Sequence, residues 1–138
     1  MTDALRPRPS VNLDNGFVFE ALNDGRLVIQ KCDGCAELRH PPVPMCPSCH
    51  SLDWHGEEMS GRGTLFSYVV LHHPVVPPFR PGYVVALVEL EEGARVVMPL
   101  EDVARDDIEI GMALSVAPER MDDELTLPVA RVRAEVPA

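Results

Sequence analysis

Residues 32–49 read Cys32-Asp33-Gly34-Cys35-Ala36-Glu37-Leu38-Arg39-His40-Pro41-Pro42-Val43-Pro44-Met45-Cys46-Pro47-Ser48-Cys49, two CxxC pairs separated by ten residues. A CxxC turn offers two thiolates from one tight bend, and two such turns facing each other complete the tetrahedron that zinc prefers. Four thiolates leave no open position for water. The predicted metal is therefore structural, with Cys32, Cys35, Cys46 and Cys49 as ligands and a folding contribution on the order of 10 kcal/mol at neutral pH. The same donors suit a redox-active iron of rubredoxin type, and spacing alone does not separate the two metals. Glycine commonly follows such pairs, because its freedom at positive φ lets backbone N–H groups face sulfur. Here Ala36 and His50 hold those positions. Histidine tolerates the left-handed region better than most residues, and alanine enters it with modest strain. His50 adjoins Cys49 and carries a ligating ring, but four cysteines already fill the shell.

Upstream of the pairs, Arg26-Leu27-Val28-Ile29-Gln30-Lys31 is a short β-prone run that enters Cys32. Before it, Phe17, Phe19, Ala21 and Leu22 cluster over residues 14–23, and Asp24-Gly25 offers a left-handed glycine stop, so the segment predicts a short amphipathic helix. Phe17 and Phe19 diverge by about 200° on such a helix, which leaves one of them for a partner. Residues 1–13 are polar and proline-rich and read as a loosely held arm. Between the pairs, Pro41, Pro42, Pro44 and Pro47 exclude a helix. Trp54 follows, and it is expected to pack under the ribbon and shield the metal. Residues 54–63 read as a connector with one short strand.

The remainder alternates β-branched and aromatic runs with Pro and Gly. Five strands are expected, near residues 64–73, 83–91, 95–100, 112–118 and 125–134, with a tight turn at Glu92-Gly93 and one helical turn within 101–111. Five strands with one short helical insertion fit an OB-fold barrel, with an SH3-like barrel as the nearest competitor. The expected fold is thus mostly β: an arm and helix over 1–25, a zinc ribbon over 26–58 and a barrel over 59–138.

The 138 residues, 46% apolar, suffice for one ordinary domain or two very small ones. A formal charge of −10 repels polyanions on average, which counts against nucleic acid as a partner. No run approaches the ~20 apolar residues needed to span a bilayer, and residues 1–16 lack the apolar core of a signal peptide. A cytoplasmic protein with no membrane partner is the expectation. Reduced cysteines in close pairs agree with that address.

Several runs in fixed order resemble the acyl-CoA-associated zinc-ribbon and OB-fold family catalogued as domain of unknown function 35. They are Phe17-Val18-Phe19-Glu20-Ala21-Leu22, then Gly25 through Cys32, Pro41-Pro42 ahead of Cys46-Pro47-Ser48-Cys49, and Trp54. Ser60-Gly61-Arg62-Gly63-Thr64-Leu65-Phe66-Ser67-Tyr68 and Tyr83-Val84-Val85-Ala86-Leu87-Val88-Glu89-Leu90 follow, with Glu92-Gly93-Ala94-Arg95 after them. The resemblance covers nearly the whole chain. It implies an N-terminal helix, a rubredoxin-like ribbon and an OB-fold, as the residues do. It also implies an auxiliary subunit that docks on a thiolase-like or hydratase-like enzyme, including aldolases of steroid side-chain breakdown, and borders the acyl-CoA site. Two departures are Ala36 and His50 in place of glycine, and Leu127-Pro128-Val129-Ala130-Arg131-Val132 where an aromatic-Pro ending is common.

Residues 72–83 form a long loop of the kind that often exists for function. Arg80 suits a phosphate or carboxylate, while Phe79 and Tyr83 suit an acyl or pantetheine chain. A proline-rich cover over the barrel end explains the same residues equally well. His72 and His73 have no nucleophile motif beside them, so no catalytic residue is assigned. His73, Phe79, Arg80, Tyr83, Arg95 and Phe17 are the candidate contacts for ligand or partner, Arg95 by the family resemblance. Asp106-Asp107 and Asp122-Asp123-Glu124 read as solvated turns rather than a second metal site. Two other functions remain open, a single-stranded nucleic-acid module and an electron carrier with iron in the ribbon.

Overall fold

The computed structural model describes residues 6–73 and 79–133. Helix α1, Gly16–Asn23, buries Val18, Ala21 and Leu22 along one face. It ends in a Schellman turn: the Arg26 N–H donates to the Ala21 carbonyl at 2.8 Å and the Gly25 N–H to Leu22 at 3.0 Å, with Gly25 at φ 79°. The expected stop is the observed one. Three strands follow: β1 Val28–Cys32, β2 Leu38–Arg39 and β3 Trp54–Glu58, an antiparallel sheet in the order β2-β1-β3. β3 pairs with β1 along its whole length, from Val28 opposite Glu58 to Cys32 opposite Trp54. The segment read from sequence as a connector with a short strand is therefore the third strand of the ribbon.

Five more strands form the second sheet: β4 Arg62–Leu71, β5 Tyr83–Leu90, β6 Arg95–Pro99, β7 Ala113–Arg120 and β8 Thr126–Val132, in the order β6-β5-β4-β7-β8. Every pairing is antiparallel except at the seam, where Leu100 meets Ala130 in a parallel bridge and nearly closes the barrel. A parallel closing seam between the third and last strands of the sheet is OB-fold topology rather than an open sandwich. The helical insertion is one turn of 3-10 helix, Arg105–Asp107, inside the predicted segment.

Alternation along β5 turns Val84, Ala86, Val88 and Leu90 inward, where they meet Leu65, Val96, Met98, Leu114 and Val116. Val18 and Leu22 of the helix and Leu27 and Ile29 of the ribbon join this same cluster. One apolar core thus runs from the ribbon through the helix into the barrel. The Met59 N–H donates to the Leu27 carbonyl at 2.7 Å and ties the chain at the point where ribbon passes to barrel.

The arm is better held than its composition predicts. The Arg8 guanidinium reaches Asp122 at 2.7 Å, and the Arg6 guanidinium donates to the Tyr83 hydroxyl at 2.8 Å. Asp122 is thus an anchor and not a solvated turn residue. The Arg8 hydrogen bond, with the Glu124 backbone N–H behind it, holds its carboxyl below the usual range.

Candidate metal centre and neighbouring surfaces

Cys32 closes β1, and the chain turns so that the Ala36 N–H donates to the Cys32 carbonyl at 2.9 Å while the Cys32 N–H donates to Glu37 at 2.9 Å. The second pair repeats this pattern: the His50 N–H donates to the Cys46 carbonyl and the Cys46 N–H to Ser51, both at 2.9 Å. Ala36 and His50 both stand at φ 64°, so two side-chain-bearing residues occupy the left-handed position that glycine usually fills. The two turns bring all four sulfurs within 4.8 Å of one another, with Cys32 to Cys49 at 3.5 Å and Cys35 to Cys46 at 3.7 Å. Four sulfurs each ~2.3 Å from a tetrahedral zinc stand about 3.8 Å apart, so the donor set fits the ion. His50 lies outside the cluster.

Electrostatics supports the same reading. The Cys35 backbone N–H, opposed by burial and helped by the Gly34 N–H, brings the Cys32 thiol down to about 6. Cys46 is lowered in the same way by the Cys49 and Ser48 N–H groups. At Cys35 the Glu37 N–H favours the thiolate, but burial and the sulfurs of Cys46, Cys49 and Cys32 outweigh it and push the thiol up to about 12. Four crowded thiols share protons unless a cation replaces them, which is what a thiolate metal site requires. Gly34 sits close to the cluster: a Cβ there would lie 3.2 Å from the Cys49 sulfur and 3.3 Å from the Ser51 Cβ, so a neighbour would have to give way by a few tenths of an ångström.

Two residues that sequence reading passed over fix the loop between the turns. Gln30 is almost fully buried, and its amide pairs with the Val43 backbone in both directions, Nε2 to the carbonyl at 2.9 Å and Oε1 from the N–H at 3.0 Å. Buried Arg39 adds a second donor to the Val43 carbonyl. A glutamine directly after the apolar run Leu27-Val28-Ile29, within a β-prone segment, was the available signal. Trp54 stands opposite Cys32 in the sheet, and its ring packs on Phe17 with centroids 4.7 Å apart. Gly56 makes that seat possible: a Cβ there would meet Val28 at 2.6 Å and Phe17 at 3.2 Å. Phe17 is half-buried, so its contacts here are internal ones that bind the helix to the ribbon. Phe19 lines a cleft of about 410 Å³ with Arg8, Val11, Glu124 and Leu125.

The other nominated residues divide between two places. Phe79 and buried Tyr83 pack together at 5.0 Å, and the Arg6 guanidinium covers both rings, 5.0 Å from one centroid and 5.5 Å from the other. Arg80 is exposed and paired with Glu101 at 2.9 Å. His72 and His73 are exposed at the end of β4. The intervening loop residues 74–78 lie outside the described residues, as does residue 134 at the end of the last expected strand. Arg95 stands near the opposite end of β5 from this group; it pairs with Glu89 at 2.9 Å and lies 3.7 Å above the Phe66 ring. No helix among the described residues is long and apolar enough to cross a membrane.

Ribbon, helix and nearly closed barrel define a zinc-ribbon and OB-fold protein. Comparison with known families agrees at both ends, residues 19–55 matching the rubredoxin-like zinc ribbon domain of ChsH2 and residues 56–119 its C-terminal OB-fold domain. The chain belongs to the ChsH2 family of DUF35 proteins. It is 56% identical over 128 residues to a probable enoyl-CoA hydratase alpha subunit of Thermomonospora curvata, covering 93% of this chain and 40% of that protein. It is 42% identical over 106 residues to the 3-oxo-4,17-pregnadiene-20-carboxyl-CoA hydratase alpha subunit of Mycobacterium tuberculosis, covering 76% of this chain and 33% of that one. The chain therefore spans well under half the length of these two relatives. Among solved structures it superimposes on a chain of the Ltp2-ChsH2(DUF35) aldolase with a TM-score of 0.86 and 54% identity, covering 91% of this chain and 98% of the other.

Proposed function

We propose that this chain is a non-catalytic auxiliary subunit that docks on a thiolase-like enzyme acting on CoA thioesters, such as an aldolase of steroid side-chain breakdown. The observation that carries this reading is the superposition along 98% of a chain that sits in an aldolase assembly. The ribbon holds a structural zinc ion through Cys32, Cys35, Cys46 and Cys49, and four-thiolate closure leaves the ion no part in chemistry. Arm and helix over 1–25, ribbon over 26–58 and barrel over 59–138 are the working divisions. Acyl-CoA is the ligand of the assembled complex, bordered on this side by His73, Phe79, Arg80 and Tyr83. What supports that border is local: in a chain of formal −10, the Arg6 guanidinium is held over the paired rings of Phe79 and Tyr83.

The test is affinity purification of the tagged chain from its host, with the complex weighed intact and its metal content measured. A stoichiometric thiolase-like or hydratase-like enzyme and one zinc per chain are expected. A clean monomer, or a chain carrying nucleic acid, would sink the auxiliary-subunit reading, and a visible iron absorption band would sink the zinc assignment.

A further inference from the structure

The outer face of β4, β5 and β6 is apolar where a solvated sheet alternates to polar residues. Register places Ser67 beside Leu87 and Leu87 beside Val97, then Val69 beside Val85 and Val85 beside Pro99. Val97 is 63% exposed and Val69 58%, and Phe66 and Leu71 extend the stripe at its two ends. The shift in pairing between Leu65 and Ser67 is what turns Phe66 outward beside Ser67. Between these rows lies a shallow depression of about 260 Å³ lined by Ser67, Val69, Val85, Leu87 and Val97, able to accept an apolar protrusion. Contiguous apolar patches rimmed by polar groups mark association surfaces.

We infer that this face is where the chain docks on its enzyme partner, against an apolar protrusion flanked by Lys or Arg side chains of the thiolase-like subunit. The inference rests on the function proposed above and adds the surface. Charge selects the occupant. At the rim Arg95 is held by Glu89, Glu92 accepts from the Ser60 N–H at 2.8 Å and exposed Glu91 stands beside Arg62, and the charge that selects is that of the whole chain, formal −10. A basic flank on the partner complements it, whereas a second copy brings another formal −10 to the contact. Single-stranded nucleic acid would need stacking rings and free cations. Of the aromatic rings on this face, Phe66 is covered by Arg95, which is itself paired, and Tyr83 beside Leu71 is buried under Arg6 and Phe79.

The experiment uses the thiolase-like subunit captured by the wild-type chain, purified and titrated calorimetrically with variants. Val97→Lys is expected to weaken binding by about tenfold or more, as charge placed in an interface centre does, and Val69→Lys likewise. Ser115→Lys, exposed on β7, is the control and should leave the affinity unchanged. Covalent footprinting of wild-type chain should show Phe66, Leu71 and Val97 protected in the complex, a readout that needs no variant to fold. Wild-type affinity in folded, zinc-loaded Val97→Lys and Val69→Lys, or unchanged footprints, overturns the face and leaves the function standing. Failure of the wild-type chain to capture any such subunit overturns the function and this inference with it. A wild-type homodimer that Val97→Lys dissociates would make a second copy the occupant and overturn the assignment.

Discussion

The ribbon and the barrel are both antiparallel sheets of short strands, yet they are held by different forces. The barrel sends Leu65, Val88, Leu90, Leu114, Val129 and Ala130 inward to exposures of 1% or less. The ribbon buries one aliphatic side chain, Ile29, to that degree and fills its remaining interior with Cys32, Cys46 and Gln30. Strand pairing alone does not stabilise a sheet of this size in water. Barrel stability should therefore follow apolar volume, and ribbon stability the ion and a few polar clamps. The shared core through Val18, Leu22, Leu27 and Ile29 sets how far the two can be separated.

The largest expected effect comes from the metal. Stripping it with a strong chelator, or the substitution Cys46→Ser, should abolish metal binding and release amide protection in β1 and β3 while β5 and β6 stay protected longer. Hydrogen exchange read by mass spectrometry checks this. Simultaneous loss in both sheets would break the contrast and make the shared core one cooperative unit. The converse test is Leu114→Ala, at a fully buried barrel position, which should cost about 2–5 kcal/mol in urea unfolding while the native protein still holds one metal per chain. Metal loss from folded Leu114→Ala would show that the barrel props up the ribbon.

A smaller effect isolates the polar clamp. Gln30→Leu keeps an apolar filling but removes both bonds to the Val43 backbone, and should cost about 1–3 kcal/mol. Because the clamp sits inside the ribbon, its loss should also speed metal release to a chelator. Unchanged release would mean that the proline-rich loop is positioned by the cysteines alone.

These contrasts explain what was legible in the sequence. The strand ends of the barrel fall within two or three residues of expectation, since period-two alternation and turn residues are local signals. The clustering of Cys32, Cys35, Cys46 and Cys49 was legible for the same reason: their spacing is itself the geometry. What could not be read were pairings between distant segments. Trp54–Glu58 carries charges and a glycine, and only β1 alongside makes it a strand. Gly56 has the composition of a connector, and only Val28 and Phe17 packed against it make the missing side chain a requirement of the fold. The two arginines of the arm find Tyr83 and Asp122 more than 70 residues away, and composition contains no trace of that. The candidate contacts divided for a similar reason, with Phe79, Arg80 and Tyr83 near one end of β5 and Arg95 across the turn at its other end.

The smallest effect has the opposite sign and separates the two cysteine turns from each other. Ala36 and His50 share φ 64° and the same hydrogen-bond pattern, so their backbones ask the same of different side chains. An L-residue in the left-handed region costs roughly 1–2 kcal/mol, and glycine escapes this while losing ~0.5–1 kcal/mol through its freer unfolded state. Ala36→Gly should therefore stabilise the zinc-loaded protein by about 0.5–1 kcal/mol, a gain of up to ~5-fold in resistance to a competing chelator. Ala36 is exposed, so no packing is lost to offset the gain. His50→Gly should gain less, because histidine already visits this region more readily than alanine. If Ala36→Gly proves neutral or destabilising in urea titrations at fixed zinc, the first turn is not strained at Ala36. The stability of the ribbon would then rest on the sulfurs and on Gly34, whose missing side chain leaves room for them.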